Sequence, residues 1–332
     1  MGAATGPVLS ALPSATIAPW TAVQGARMTA ITDHAYGGSD AEFGDLLDLL
    51  AESYGISRWP HNWLIGRLYN WRYARSPSAV EADPGFPSRN AHLWRTTTGR
   101  LAGFCISEYG GVDMQLQVHP DCRRIEASML RWTLEEWALN KERVQIEVYA
   151  RDGERQALLA GVGFQDEGGG GFTREYDLSG DYPLLPLEAG FSIASLSEHP
   201  DLDGRVATEA LTFGQPDLDR PWLEAKMSAP GYSFEWDLSV LSRAGQYVAF
   251  CLACPGWRNR VAEIDPVGAH PEFRRRGFAK ALLGECFRRL RAAGIERAYI
   301  GSAPEPYHSN RLYESLRPVA RYEAHSWVKR LA

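Results

Sequence analysis

Ala269-His270-Pro271-Glu272-Phe273-Arg274-Arg275-Arg276-Gly277-Phe278-Ala279 has an echo earlier in the chain, Val118-His119-Pro120-Asp121-Cys122-Arg123-Arg124, at an offset of 151 residues. A helical pattern follows each. Met129, Leu130, Thr133, Leu134 and Trp137 share a face in the first copy. Phe278, Leu282, Leu283, Phe287 and Leu290 do so in the second, where Gly294 reads as the stop. Each helix leads into a strand, residues 143–148 and 297–300, now at an offset of 154, so the second helix is three residues longer. The chain therefore reads as two copies of one unit. Each runs strand, helix, a meander of strands, His-Pro loop, helix, strand, short helix and closing strands, which predicts a mixed α/β sheet.

Punctuation sets the boundaries. Phe172-Thr173-Arg174-Glu175-Tyr176-Asp177-Leu178 closes the first copy after an expected turn at the glycines 168–171. The expected division is a disordered, uncharged tail over residues 1–26, a first unit over 27–178, a linker over 179–189 containing Pro183 and Pro186, and a second unit over 190–332. A length of 332 residues suits two domains of about 150 residues each.

Composition narrows the class. The chain is 45% hydrophobic and 23% charged, with no apolar run long enough for a membrane-spanning helix. No basic segment precedes Val8, so no secretory signal is expected, and Gly2 lacks the downstream Ser or Thr of a myristoylation signal. A net charge of −6 argues against nucleic acid as a partner. The excess is local: residues 1–180 hold 22 acids and 16 bases, and residues 181–332 hold 19 of each. The five cysteines (Cys105, Cys122, Cys251, Cys254, Cys286) form no disulfide framework and predict a reducing, cytoplasmic setting. Cys251-Leu252-Ala253-Cys254 has a metal-like spacing but no second pair, so it reads as buried strand and no metal is expected.

Arg274-Arg275-Arg276-Gly277-Phe278-Ala279 carries the chemistry. Backbone N–H groups at a helix start point outward, the helix dipole favours negative charge, and Gly277 permits close approach of an anion such as phosphate. A solvated basic cap is the blander reading of the same hexapeptide.

With its flanks, this fragment resembles the acyl-CoA-binding loop of the GNAT N-acetyltransferase superfamily, Gln/Arg-x-x-Gly-x-Gly/Ala. Tyr299-Ile300-Gly301-Ser302 and Asn310-Arg311-Leu312-Tyr313-Glu314-Ser315-Leu316 resemble the strand and helix that follow in that family. The resemblance spans residues 190–332 and departs from the pattern at Arg317-Pro318, where Gly-Phe is usual. It implies two tandem domains of this fold, an arrangement resembling mycothiol synthase-like proteins. It also implies acetyl-CoA as cosubstrate, held by Arg274, Arg275, Arg276, Gly277, Phe278, Ala279 and Asn310. Ala269 would bond the thioester carbonyl through its N–H, Tyr313 would protonate the leaving thiolate, and Glu263 would act as general base with Asp265 in reserve. Pro266 in the same strand predicts a bulge or lost pairing.

The first copy departs at each of these positions: Glu126 stands for Gly277, Leu159 for Tyr313 and Val112 for Glu263. It reads as non-catalytic. The acceptor is expected at residues 198–232, with Phe213, Trp222 and Tyr232 among its aromatics and an acidic surplus that suits a cationic amine. Trp59, Trp63 and Trp71 read as packing residues, and His308 as incidental. The expected activity is acetyl transfer to a primary amine of a small molecule in a ternary complex. The competing expectation is a silent acyl-CoA-binding protein. Two fused units predict a monomer, with a homodimer as the alternative.

Overall fold

The computed structural model describes residues 31–60, 63–180, 182, 184–305 and 307–331. The tail read over residues 1–26 lies outside them, as do Pro183 and Asp181 of the linker. Among the described residues, no helix is long and apolar enough to cross a membrane.

The chain runs β1 (Ile31–Ala35), α1 (Asp40–Ser57), α2 (Ile65–Tyr73), α3 (Pro77–Ala82), α4 (Phe86–Asn90), β2 (Ala91–Thr96), β3 (Leu101–Ile106), β4 (Gln115–Val118), α5 (Glu126–Trp132), β5 (Arg143–Tyr149), α6 (Gly153–Gly161) and β6 (Gln165–Asp177). It then repeats the theme with β7 (Phe191–Ser195), α7 (Leu202–Phe213), α8 (Arg220–Met227), β8 (Asp237–Ser242), β9 (Tyr247–Gly256), β10 (Val261–Ala269), α9 (Phe278–Ala292), β11 (Arg297–Ser302), α10 (His308–Glu314) and β12 (Ala320–Arg330). The two periodicities read from the sequence are kept. Phe278, Leu282, Leu283, Phe287 and Leu290 are all buried on α9, and Gly294 adopts a positive φ of 89° where that helix stops. The first-copy helix continues past Trp132 as a π-helical turn, Thr133–Trp137.

Strand order shows how the copies are joined. One sheet is β1-β2-β3-β4; the other is β5-β12-β6-β11-β10-β9-β8-β7. The isolated bridge Asp113↔Gln145 links β4 to β5 across the two. The last strand of each copy therefore sits in the other copy's half. β6 lies between β11 and β12, and β12 pairs with β5. The glycines 168–171, expected as a turn, lie inside β6 instead. The correction has a steric reason. A Cβ on Gly170 would come within 2.3 Å of the Ala324 carbonyl oxygen, and one on Gly171 within 2.6 Å of that of Ser302. Only glycine lets three backbones lie this close, and the register shifts beside Ala324 and His325 take up the irregularity.

Beneath the sheet, polar groups also join elements. Arg205 of α7 is fully buried, donating to Asp237 Oδ1 at 2.8 Å and Glu209 Oε2 at 2.7 Å, with Lys226 Nζ 3.7 Å from Glu209. Removing one partner of such a network strands the rest in a dry interior. Arg205→Ala is expected to cost roughly 3–5 kcal/mol in denaturant unfolding, whereas Arg220→Ala, whose partners are solvent-exposed, is expected to cost under about 1 kcal/mol.

Candidate active site

Both copies contain a place where two neighbouring parallel strands part. In the second, β10 pairs with β11 only over Val261–Glu263 against Arg297–Tyr299. Beyond Glu263 the strands diverge, and β11 continues on β6 alone. Pro266 has no N–H to give a ladder, and the register of β10 on β9 shifts between Ile264 and Val267, the irregularity expected there. The hydrogen bond from His270 N–H to Val248 carbonyl runs toward β9. Alternation along the strand therefore turns the N–H of Ala269 the other way, into the gap beside β11.

At the mouth of the gap, α9 begins. Gly277, its N-cap, has φ 83°, and among the described residues nothing beyond its own chain neighbours lies within 4 Å of where a Cβ would stand. The open space and the uncapped first turn make a cradle an anion can fill. The arginines differ in use. Arg274 bonds the carbonyls of Ala269 and Thr212, fixing the loop. Arg276 pairs with Glu188 and stacks over Phe191, Phe273 and Phe278. Arg275, at φ 67°, has no side-chain hydrogen bond or ion pair among the described residues, so it is the guanidinium available to an outside anion. Phe278 buries its ring in the core, leaving its backbone N–H as its contribution, and Ala279 follows it in the same turn. Asn310 is buried and donates from Nδ2 to the Ala303 carbonyl, tying α10 to the end of β11.

The other end of the gap opens into a cleft of about 1050 Å³ between the copies. Glu263, Asp265 and Ser302 line it from the second copy together with Phe213 and Trp222, and Arg67, Trp71, Glu108, Tyr109 and Tyr149 from the first. Glu263 and Asp265 face the same side of β10, as their spacing predicts. Burial and the neighbouring Asp265 raise the pKa of Glu263 to about 8, against the pull of backbone N–H groups and the Arg67 guanidinium. The crowding of the cleft also raises that of Asp265, whose side chain still reaches solvent, with Lys226 and Arg67 opposing. Tyr313 is buried on α10 and is not among the cleft-lining residues. Burial and the Asp265 charge push its phenol well above its usual range, so it stays protonated.

Three residues that sequence reasoning did not single out belong to this place. Arg67 N–H donates to Glu263 Oε2 at 3.1 Å, and the backbone of Gly66 faces the same carboxylate and helps to lower its pKa. Arg174, brought in by β6, donates to Glu314 Oε1 at 2.7 Å and Ser302 Oγ at 2.6 Å, 5.9 Å from the Tyr313 ring. The one local signal for Gly66 and Arg67 was a helix start at Ile65 preceded by Leu64, which cannot cap it. Of the expected aromatics, Tyr232 turns away and donates to Asp237, while the Trp222 indole donates to Ala74 of the first copy. Trp63 is core; Trp59 packs on Tyr149 and Tyr322; Trp71 is buried at the cleft wall. His308 stacks on Tyr307 at the exposed start of α10.

The equivalent place in the first copy is filled by protein. Glu126 starts α5 with an ordinary αR backbone, its carboxylate buried between Arg123 Nε at 2.7 Å and Arg155 Nε at 2.8 Å. Arg155 also bonds the Leu116 carbonyl on the parted edge of β4. Leu159 is fully buried in the core. The departure at Arg317-Pro318 is milder than its letters suggest. Arg317 holds φ 58° where Gly163 of the first copy holds 89°, so the turn survives without its glycine.

Comparison with known proteins agrees with this geometry. Residues 208–317 match the sequence model of the Acetyltransferase (GNAT) family. A tandem GNAT protein from the clavulanic acid biosynthesis pathway has the same fold at 16% identity and a TM-score of 0.61, covering 91% of this chain and 98% of its own. A GCN5-related N-acetyltransferase from Sphaerobacter thermophilus gives 18% identity and 0.59, over 90% and 95%. A GNAT-family acetyltransferase from Colwellia psychrerythraea gives 14% and 0.55, over 90% and 100%. No curated protein matches the chain by sequence. Residues 208–317, which hold the open strand gap and the glycine-capped helix, are similar to the GNAT acetyltransferase family.

Proposed function

We propose that this chain is an acetyl-CoA-dependent N-acetyltransferase acting on a primary amine of a small molecule by direct attack in a ternary complex. The observation that carries the reading is the alignment of three features along one gap: the open cradle at Gly277, the inward N–H of Ala269, and Glu263 at the floor of the cleft. Acetyl-CoA supplies the activated thioester. The α9 N-terminus and Arg275 bind its diphosphate, with Asn310 holding the far wall. The Ala269 N–H donates to the thioester oxygen as charge builds there. The incoming ammonium loses a proton to Glu263, the C–N bond forms, the C–S bond breaks, and the nitrogen's second proton passes to solvent. Tyr313 gives its proton to the departing sulfur and regains one by way of solvent from Glu263.

The acceptor side suits a cation. Glu108, Glu147, Glu209, Asp217, Glu263 and Asp265 line the cleft against Arg67, Arg75 and Lys226, and Arg67 and Lys226 are already engaged by Glu108 and Glu209. The unit read over residues 27–178 is the non-catalytic partner. Its own carboxylate, Glu126, occupies the basic place where a phosphate would need to lie.

The test is thiol release from acetyl-CoA by the full chain with a panel of primary amines. Glu263→Gln is expected to lower kcat/KM about 100-fold or more, and to abolish the rise of rate with pH through about 8. Tyr313→Phe should lower it at least about tenfold. Gly277→Glu, which installs the first copy's residue, should remove acetyl-CoA binding. Binding without turnover of any amine would instead favour a silent acyl-CoA-binding protein. Stability offers a separate check. The folded-state pKa of Glu263 lies above its unfolded value, so its stabilising contribution is full below about pH 4.5 and fades as pH rises toward 8. Between pH 5 and 8, Glu263→Gln is expected to gain at least about 1 kcal/mol relative to the unmodified chain.

A further inference from the structure

We infer that the first unit is part of the active site: the N-terminus of α2 holds Glu263 in place, which makes Gly66 a positioning residue for the proton-accepting step. The inference rests on the reading of Glu263 as general base.

Three observations converge. First, α2 starts without a side-chain cap, since Leu64 has no acceptor to offer. Its first-turn N–H groups need a partner, and the carboxylate of Glu263, 196 residues away in sequence, supplies it from β10. Second, Gly66 is not required by its backbone angle, which is an ordinary helical one. It is required by space. A Cβ at residue 66 would lie 2.6 Å from Glu263 Oε2 and 3.2 Å from Cys254 Cβ, so the carboxylate would have to shift from its present position. Third, the first unit is hydrogen-bonded to the second beside this contact. Tyr54 and Tyr299 hydroxyls meet at 2.7 Å, and Asn259 Nδ2 donates to the Ala51 carbonyl at 2.8 Å, so α1, the helix before α2, is fixed against the second unit.

Two consequences follow for the reaction. A carboxylate held by the Arg67 N–H and faced by the backbone of Gly66 keeps one orientation, so the amine meets an acceptor whose position is already set. These backbone groups also favour the ionised form, opposing both burial and the Asp265 charge. The other titratable groups facing Glu263 are Arg67 on α2 with its partner Glu108, Cys254 on β9 and Tyr149 on β5.

The test is Gly66→Ala in the full chain. Alanine suits a helix better than glycine, and residue 66 is remote from the α9 cradle. The expected result is a fall in kcat/KM of about tenfold at pH 7, with the rising limb of the pH profile displaced upward by about one pH unit and the KM for acetyl-CoA unchanged. In a Glu263→Asp background the carboxylate stops one methylene short of α2, so adding Gly66→Ala should cost less than about twofold. A Gly66→Ala profile superimposable on that of the unmodified chain overturns the inference, as do losses that multiply in the double variant. Should Gly66→Ala alone prevent folding, the double variant compared with Glu263→Asp still reads the contact: equal activity supports it and a further loss overturns it. Unchanged turnover in Glu263→Gln removes the base assignment itself and this inference with it. Loss of turnover there with a normal Gly66→Ala profile overturns the role of α2 alone.

Discussion

β6 and β12 run antiparallel side by side, and each has crossed from the copy that precedes it in sequence into the half of the other. Everything else in the molecule is hung from this pair. β6 carries β11, and through it the strands β10 to β7; β12 carries β5, which touches β4. Because the shared strands are hydrogen-bonded along their length, the two units cannot drift apart without breaking the centre of the sheet. The cleft between them is therefore a fixed part of the molecule. So is the placement of Arg174, which β6 delivers beneath Tyr313 and beside Ser302.

The same exchange explains why the two parted-strand sites can differ so much while the frame stays symmetrical. In the second unit the helix start is left open and the nearby cation is Arg275. In the first, Glu126 is drawn into a pocket between Arg123 and Arg155, and the gap edge is closed by the Arg155 bond to Leu116. A buried carboxylate with two guanidinium partners satisfies the basic pocket from within. Both sites obey one electrostatic rule, that a helix start with arginines wants an anion, and differ in whether the chain provides it.

Much of this was legible from residue spacing. The repeat offset, the α9 face and the paired acids of β10 depend on local periodicity, and Gly277 on a local turn. Apart from the repeat offset, each is written within one short segment, and the α9 face, the paired acids and the turn at Gly277 appear in the structure where they were expected. The glycines 168–171 show the opposite. Locally they read as a turn, yet they serve a strand, because the constraint acting on them comes from Ala324 and Ser302, far away in sequence. Arg276, which reads locally as a phosphate ligand, is paired in the structure with Glu188, 88 residues away in sequence.

The sequence by itself determined that there are two copies of one α/β unit, and which copy keeps an open anion cradle. Those properties follow from hydrophobic period, turn chemistry and the presence or absence of a side chain at single positions. Only the tertiary structure decided that the copies exchange strands, and that Glu263 is held by the backbone of α2. Strand partners and desolvation depend on which surfaces meet, and a carboxylate has no ladder, pocket or shifted pKa until residues 196 positions away in the chain are folded against it.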